Sequence, residues 1–216
     1  MTSNSADAER GKADKKLMTD KKRIRRIALT ARRTMSPKER EDASKAITDL
    51  IAASDVFRMA ETVLIYKAMP DEVDLGLLTD LPDAEGKRFC YPRVTGEGNM
   101  TALLPCGPDS WEKGSFGITE PDESKSLPVC PEEIDLVLCP CTAFDNSMGR
   151  LGMGGGYYDR FLPKCVNAAI AAVAFESQKV AAVPKEDTDV QMDMVFTEKE
   201  VYGKGKTEQK NSMDQK

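Results

Sequence analysis

The order of residues predicts an α/β fold: a single-domain, Rossmann-like three-layer arrangement with a largely parallel central sheet flanked by helices. Three observations carry this expectation. Short apolar runs rich in β-branched residues recur at 62–68 (T-V-L-I-Y-K-A), 88–92, 100–104, 134–139, 169–175 and 194–197, and the unbroken ones read as strands buried on both faces. Helical stretches are interleaved with them at 74–81, 155–165 and 177–182, and such alternation builds parallel sheets. The chain has 216 residues, 40% of them hydrophobic, which suits one core of moderate size rather than two.

Residues 1–18 and 203–216 are rich in Lys, Asp, Glu, Ser and Gly. Ordering them would cost entropy and bury little, so both are expected to be disordered tails around a domain spanning 19–202. The first helix is expected to start after Thr19 or Asp20 and to end near Thr34. Ile24, Ile27, Ala28 and Ala31 form its apolar face, and Lys21, Arg25 and Arg32 line an adjacent one. Ser36, Pro37 and Glu39 read as a capping box that opens a second helix reaching about Ala53. The Pro/Gly/Glu-rich stretch 107–131 is a long excursion of the kind that usually has a task.

Composition narrows the chemistry. A net charge of −5 and a pI near 5.1 leave no basic surplus for a nucleic-acid partner. No apolar run approaches the roughly 20 residues a bilayer crossing needs, and residues 1–16 are polar, so no membrane partner and a cytoplasmic location are expected. Six cysteines, at 90, 106, 130, 139, 141 and 165, form no C-x-x-C pair and are expected to be free thiols. The chain contains no histidine, which excludes Ser-His-Asp and Cys-His triads. Catalysis must rest on carboxylates, lysine, arginine, tyrosine, backbone amides or a metal.

The most informative segment runs from 134 to 162: a buried strand, D-L-V-L-C-P, then R-L-G-M-G-G-G-Y-Y-D-R-F-L from Arg150 to Leu162. Gly152, Gly154, Gly155 and Gly156 carry no side chain to keep a ligand off the backbone, so their amides can surround phosphate oxygens near a helix start. Arg150 adds a charged fork suited to phosphate. The pattern is neither a P-loop nor a full dinucleotide fingerprint, because Tyr157 stands where a third glycine would.

With Ala143-Phe144-Asp145 before it, this segment resembles the signature of the 5-formyltetrahydrofolate cyclo-ligase family, also called methenyltetrahydrofolate synthetases. Other segments agree in order over about 20–200. Lys21 and Arg25 resemble the family's nucleotide-contacting Lys-x-x-x-Arg, and their i, i+4 spacing puts both cations on one helical face. The resemblance implies that ATP is held by these two, by Arg150, Leu151, Gly152, Met153, Gly154, Gly155 and Gly156, and by Tyr157 and Tyr158. The segment Tyr66-Lys67-Ala68-Met69-Pro70-Asp71-Glu72 resembles the one that offers a glutamate to the folate. Substrate contacts are thereby implied for Glu72, with Lys67 and Met69 beside it, for Gly156 and Tyr157, and for Phe116 stacking on the pterin. Asp159 and Asp189 match carboxylates that support Mg²⁺. Many members carry lysine where this chain has Gly155, and histidine where it has Thr188. Lys21, Lys67 or Arg150 are candidates to supply the missing charge.

The resemblance implies an ATP- and Mg²⁺-dependent ring closure by a monomer acting on small molecules. The formyl oxygen of 5-formyltetrahydrofolate attacks the γ-phosphate of ATP, nitrogen 10 attacks the activated carbon, and phosphate leaves 5,10-methenyltetrahydrofolate. Arg150, Tyr157 and Tyr158 are the implied catalytic residues. A chain without histidine can do this, because phosphoryl transfer depends on alignment and charge neutralisation. Two other readings stay open on the residues alone: a non-catalytic nucleotide- or folate-binding module, and a sugar-phosphate isomerase-like protein.

Overall fold

A computed structural model describes residues 3–114 and 117–203, with residues 3–14 described by their backbone only. The chain opens with α1 (Ser3–Thr34), α2 (Pro37–Ala52) and α3 (Asp55–Met59). The strands follow as β1 (Thr62–Leu64), β2 (Arg88–Gly96), β3 (Asn99–Pro105), β4 (Trp111–Lys113), β5 (Thr119–Pro121), β6 (Ser126–Val129), β7 (Leu136–Pro140), β8 (Ala143–Phe144) and β9 (Arg150–Leu151). After α4 (Tyr157–Phe161) come β10 (Ala169–Val173), β11 (Met194–Phe196) and β12 (Val201–Gly203).

The main sheet has eight strands in the order β12-β11-β10-β7-β1-β2-β3-β6. The strands from β11 to β2 are parallel, and β3, β6 and β12 add antiparallel edges. Alternate residues of each central strand enter opposite cores: Leu136 and Leu138 pack with Ile47, Ile51 and Phe57, while Val137 and Cys139 pack with Phe161, Leu162 and Met192. Burial on both faces explains the unbroken apolar runs of the sequence. It also produces the expected three layers.

Strand order places the cleft. From β1 the chain adds β2 on one side, then returns to add β7, β10 and β11 on the other, so the direction of winding reverses between β1 and β7. In open α/β sheets ligands settle outside the carboxyl ends of the strands at such a point.

Several elements differ from expectation, each for a local reason. The first helix begins at Ser3, because Thr19 does not cap it: its hydroxyl donates to the Lys15 carbonyl at 2.8 Å, one turn back inside the helix. Its buried face is as expected at Ala28, with Ile24 packed beside it, but Ile27 is 53% exposed while Lys21 and Arg32 are 6% and 1% exposed. The cationic stripe turns inward because carboxylates and a carbonyl wait for it there. The strand expected over 62–68 leaves its ladder after Leu64, although the Ile65 amide still donates to the Cys90 carbonyl at 3.0 Å, and the chain then runs along the cleft. The stretches expected to be helical at 74–81 and 177–182 are 3₁₀ turns, Gly76–Asp80 and Glu176–Gln178. The one expected over 155–165 is α4 followed by a 3₁₀ turn, Leu162–Lys164, where Pro163 has no N–H to continue the ladder. Gly203 belongs to β12, paired with Met194. Residues 1–2 and 204–216, within the expected tails, lie outside the described residues.

The capping box at Ser36 is present, with the Ser36 amide donating to Glu39 Oε2 at 2.7 Å and the Glu39 amide donating to Ser36 Oγ at 3.2 Å. The excursion 107–131 holds the β4–β5 hairpin and β6. All six cysteines are free, and no described helix is long and apolar enough to cross a membrane.

Candidate active site

A cavity of about 480 Å³ opens at the carboxyl ends of β1 and β7. It is walled by the segment after β1, by residues 140–142 after β7, by the glycine loop and by one face of α1. Every site residue named from the sequence lines it except Phe116, which lies outside the described residues.

The glycine loop is built on a small hairpin. Beyond β7 the chain turns through β8 and β9, and the Thr142 amide donates to the Leu151 carbonyl at 2.8 Å. Asp145 closes the turn: its carboxylate accepts the amides of Ser147, Gly149 and Val183 at 2.9, 3.0 and 2.7 Å and the Ser147 hydroxyl at 2.7 Å. Burial pushes the Asp145 carboxyl up, but the Val183 amide, the Ser147 hydroxyl and the Gly149 and Ser147 amides outweigh it and hold it below the usual value near 3.8. Its contribution is therefore complete above about pH 3.8 and disappears as pH falls through the depressed folded value. Asp145→Asn is expected to lose about 2–4 kcal/mol of unfolding free energy at pH 7, with the gap from wild type shrinking toward pH 3. Urea melts at the two pH values measure this, and a gap independent of pH would contradict it.

Two arginines orient the loop. Arg25 Nε donates to the Gly152 carbonyl at 2.8 Å, and Arg160 Nη2 donates to the Gly155 carbonyl while its Nε donates to the Gly98 carbonyl at 2.6 Å. Among the described residues no peptide bond is cis, so the N–H groups of Met153 and Gly156 point opposite to those two carbonyls. Gly154 and Gly156 stand at φ +106° and +67°, which side chains resist. At Gly155 a Cβ would come within 2.6 Å of the Tyr157 ring, so any side chain there, lysine included, would require Tyr157 to move. The helix that follows has only five residues, and the amides of the loop itself, not a long helix dipole, offer the anion site.

Arg150 is buried beneath the loop. Its Nη2 pairs with Asp159 Oδ1 at 2.9 Å, its Nη1 donates to the Pro140 carbonyl at 3.4 Å, and its Nε is buried without a hydrogen bond. The guanidinium lies 5.4 Å from the centre of the Tyr158 ring. The Tyr158 hydroxyl is likewise buried without a partner, and burial pushes it well above the usual phenol value, so it is a neutral donor. Two orphaned donors at one cleft wall suit an anionic oxygen that completes them. Cys141 also lines the cleft, but burial pushes its thiol up to about 12, which removes it as a nucleophile.

At the other end, the Glu72 carboxylate is largely buried, its side chain 10% exposed, with Oε2 accepting the Met69 amide at 3.1 Å and Oε1 3.6 Å from Arg32 Nη1. Desolvation raises its pKa, opposed by the Met69 amide and by Arg32. Lys67 sits over the rings of Trp111 and Tyr91, 4.4 and 5.3 Å from their centres, and those two rings meet edge to face at 4.8 Å. Tyr91, Val94, Met100 and Thr119 complete the walls. No motif pointed to them, because the β2–β3 and β4–β5 hairpins bring them in from outside the signature segments. Residues 140–142 were recoverable from the switch-point rule once strand order was known.

The candidate metal carboxylates are both engaged by cations. Asp159 Oδ1 takes Arg150, and Asp189 Oδ2 takes Lys21 at 2.6 Å and the Glu186 amide at 2.7 Å. Glu186 is itself 3.2 Å from Lys21. Burial lowers Arg25 against the opposing charges of Asp189, Glu186 and Asp159, all near enough to act on it. Among the described residues no three such groups converge as a metal cage. Two carboxylates facing one cleft do fit Mg²⁺, which takes few protein ligands and completes its shell with water and phosphate oxygens.

Fold and cleft together define a Rossmann-like α/β enzyme that sets a glycine loop and buried cations at one end of a pocket and a buried carboxylate at the other. A model of the 5-formyltetrahydrofolate cyclo-ligase family matches residues 17–198. The chain is 29% identical over 184 residues to the 5-formyltetrahydrofolate cyclo-ligase of Mus musculus, covering 77% of this chain and 87% of that one. It is 27% identical over 177 residues to that of Escherichia coli K12, covering 79% and 96%. The solved structure of Aquifex aeolicus 5,10-methenyltetrahydrofolate synthetase superposes with a TM-score of 0.74 at 31% identity, covering 85% of this chain and 92% of the other. The Mycoplasma pneumoniae synthetase shares the fold, with a TM-score of 0.68 at 22% identity, covering 83% and 99%. The chain belongs to the 5-formyltetrahydrofolate cyclo-ligase family.

Proposed function

We propose that this enzyme closes 5-formyltetrahydrofolate to 5,10-methenyltetrahydrofolate with consumption of ATP and release of ADP and phosphate. The formyl oxygen attacks the γ-phosphorus and ADP departs. Nitrogen 10 then attacks the phosphorylated formyl carbon, loses its proton, and the C–O bond breaks to free phosphate with the former formyl oxygen. An amide oxygen is a poor leaving group, and phosphorylation turns it into a good one. The unit that does this is taken as residues 19–202, acting as a monomer in the cytoplasm. The free state of all six thiols fits a reducing compartment.

The observation that carries this reading is the polarity of the cleft: Arg150 and the loop amides at one end, Glu72 at the other, and the Tyr158 hydroxyl within reach of both charges. The first set holds the triphosphate and neutralises charge on the transferring phosphoryl group. Arg25 and Lys21 reach the same end from α1. Glu72 accepts the adjacent N–H donors of the pterin edge, a paired geometry suited to a carboxylate. Lys67, Met69 and Tyr157 flank the ring. Asp159 and Asp189 would hold Mg²⁺, which when bound supplies charge neutralisation to the phosphates. None of these roles needs a side chain that cycles a proton near pH 7, in keeping with a chain that has no histidine.

Mixing the purified protein with 5-formyltetrahydrofolate, ATP and Mg²⁺ should produce the near-ultraviolet band of the methenyl product and one phosphate per turnover. Phosphate release that did not depend on the formylated folate, or no band at all, would overturn the proposal.

A further inference from the structure

Arg32 heads the fully buried side chains by volume, at 1% exposure, and no step above uses it. It is on α1 in one stripe with Lys21, Arg25 and Ala28, at i, i+4, i+7 and i+11, which share one side of the helix. The first two cations of the stripe reach Asp189 and the glycine loop. Arg32, farther along, reaches the other end of the cleft: its Nη2 lies 3.0 Å from Asp71 Oδ1 and its Nη1 3.6 Å from Glu72 Oε1. Its Nε is buried without a hydrogen bond, so the guanidinium is held by those two carboxylates. Asp71 is tied from outside as well, by Arg33 Nε at 3.2 Å.

The consequence for Glu72 is geometric. One carboxylate oxygen is ion-paired with Arg32 at 3.6 Å and the other accepts the Met69 amide at 3.1 Å, while Glu72 and Met69 both line the cleft. Each carboxylate oxygen has two acceptor sites, so a group with one oxygen ion-paired and the other hydrogen-bonded can still present a paired acceptor edge to a ligand. We propose that Arg32 is a positioning residue for substrate recognition: through its ion pair it fixes the Glu72 carboxylate as an oriented, anionic acceptor for the two adjacent N–H donors of the pterin edge. The proposal rests on Glu72 being the pterin acceptor. The other role open to Arg32 is to fasten α1 to the loop after β1, which would affect both substrates alike.

A double-mutant cycle separates the two roles. Affinities for 5-formyltetrahydrofolate and for a non-hydrolysable ATP analogue are measured by titration calorimetry in wild type, Arg32→Met, Glu72→Gln and the double variant, with melting curves as the folding control. Arg32→Met is expected to weaken folate binding about tenfold, to leave the ATP analogue essentially unaffected, and to add nothing once Glu72 is already Gln. Arg32→Lys should recover part of the loss, because an ammonium can pair with one carboxylate but lacks the fork that reaches both. If Arg32→Met does not fold, the cycle with Arg32→Lys reads the same coupling at smaller size. Additive losses, or equal weakening of both ligands, would overturn the proposal in favour of a fastening role. Weakened folate binding in Glu72→Gln with none in Arg32→Met would overturn it alone, whereas unchanged binding in Glu72→Gln would overturn the pterin reading and the proposal together.

Discussion

Arg150→Ala is expected to lower kcat by about 10²–10³-fold, the usual loss when one buried donor to a developing charge is removed. The geometry makes this the largest single effect in the cleft. The Arg150 side chain is 3% exposed, so water does not replace it easily, and its Nε has no protein partner to compete with a phosphate oxygen. Removing it also leaves Asp159 without its 2.9 Å partner and takes the cation from the Tyr158 ring. Under the proposed function a carboxylate freed in this way would repel the bound triphosphate, so the two consequences would reinforce each other. Arg150→Lys should fall between the two, because the charge survives while the fork to Asp159, Pro140 and the ligand does not. Steady-state formation of the methenyl product, with melting temperature as control, tests both variants. A folded Arg150→Ala protein within tenfold of wild type would remove Arg150 from the phosphate site.

Glu72→Gln is expected to weaken 5-formyltetrahydrofolate binding by about 10–100-fold with little change in nucleotide affinity, the loss appropriate to one or two charge-assisted hydrogen bonds. Glutamine keeps the size and one oxygen but presents an amide where the pterin presents donors. A pH signature accompanies the substitution. Desolvation places the Glu72 carboxyl above its ordinary value near 4.5, so folate binding in wild type should weaken as pH falls through that raised value and the anionic acceptor is lost. Glu72→Gln has no such titration, and its weaker binding should be flat over the same range. An acid limb that persists unchanged in the variant would assign it to another group.

The course of the chain shows why some of this was legible in one dimension and some was not. Unbroken apolar runs revealed the central strands, because each is sandwiched between two cores and has no solvent face to encode. The signature from Arg150 to Leu162 was legible because its loop needs glycine at consecutive positions, and two of these adopt positive φ. The capping box at Ser36 was legible for the same reason: its hydrogen bonds join residues three apart. Such constraints are local, and a single residue type satisfies each.

Other features depend on partners far along the chain. The face of α1 was legible at Ile24 and Ala28 but misjudged at Ile27, which hydrophobicity alone turns inward, whereas carboxylates at 71, 72 and 189 and the Gly152 carbonyl reward turning Lys21, Arg25 and Arg32 inward instead. The aromatic shelf of Tyr91 and Trp111 beneath Lys67 joins three separate elements. Local order therefore decided which strands exist, where the glycine loop lies and which family the chain resembles. Tertiary structure alone decided which charges are buried and which residues outside the signature segments complete the cleft, because the free energy of burying a charge is set by the groups that meet it across the fold.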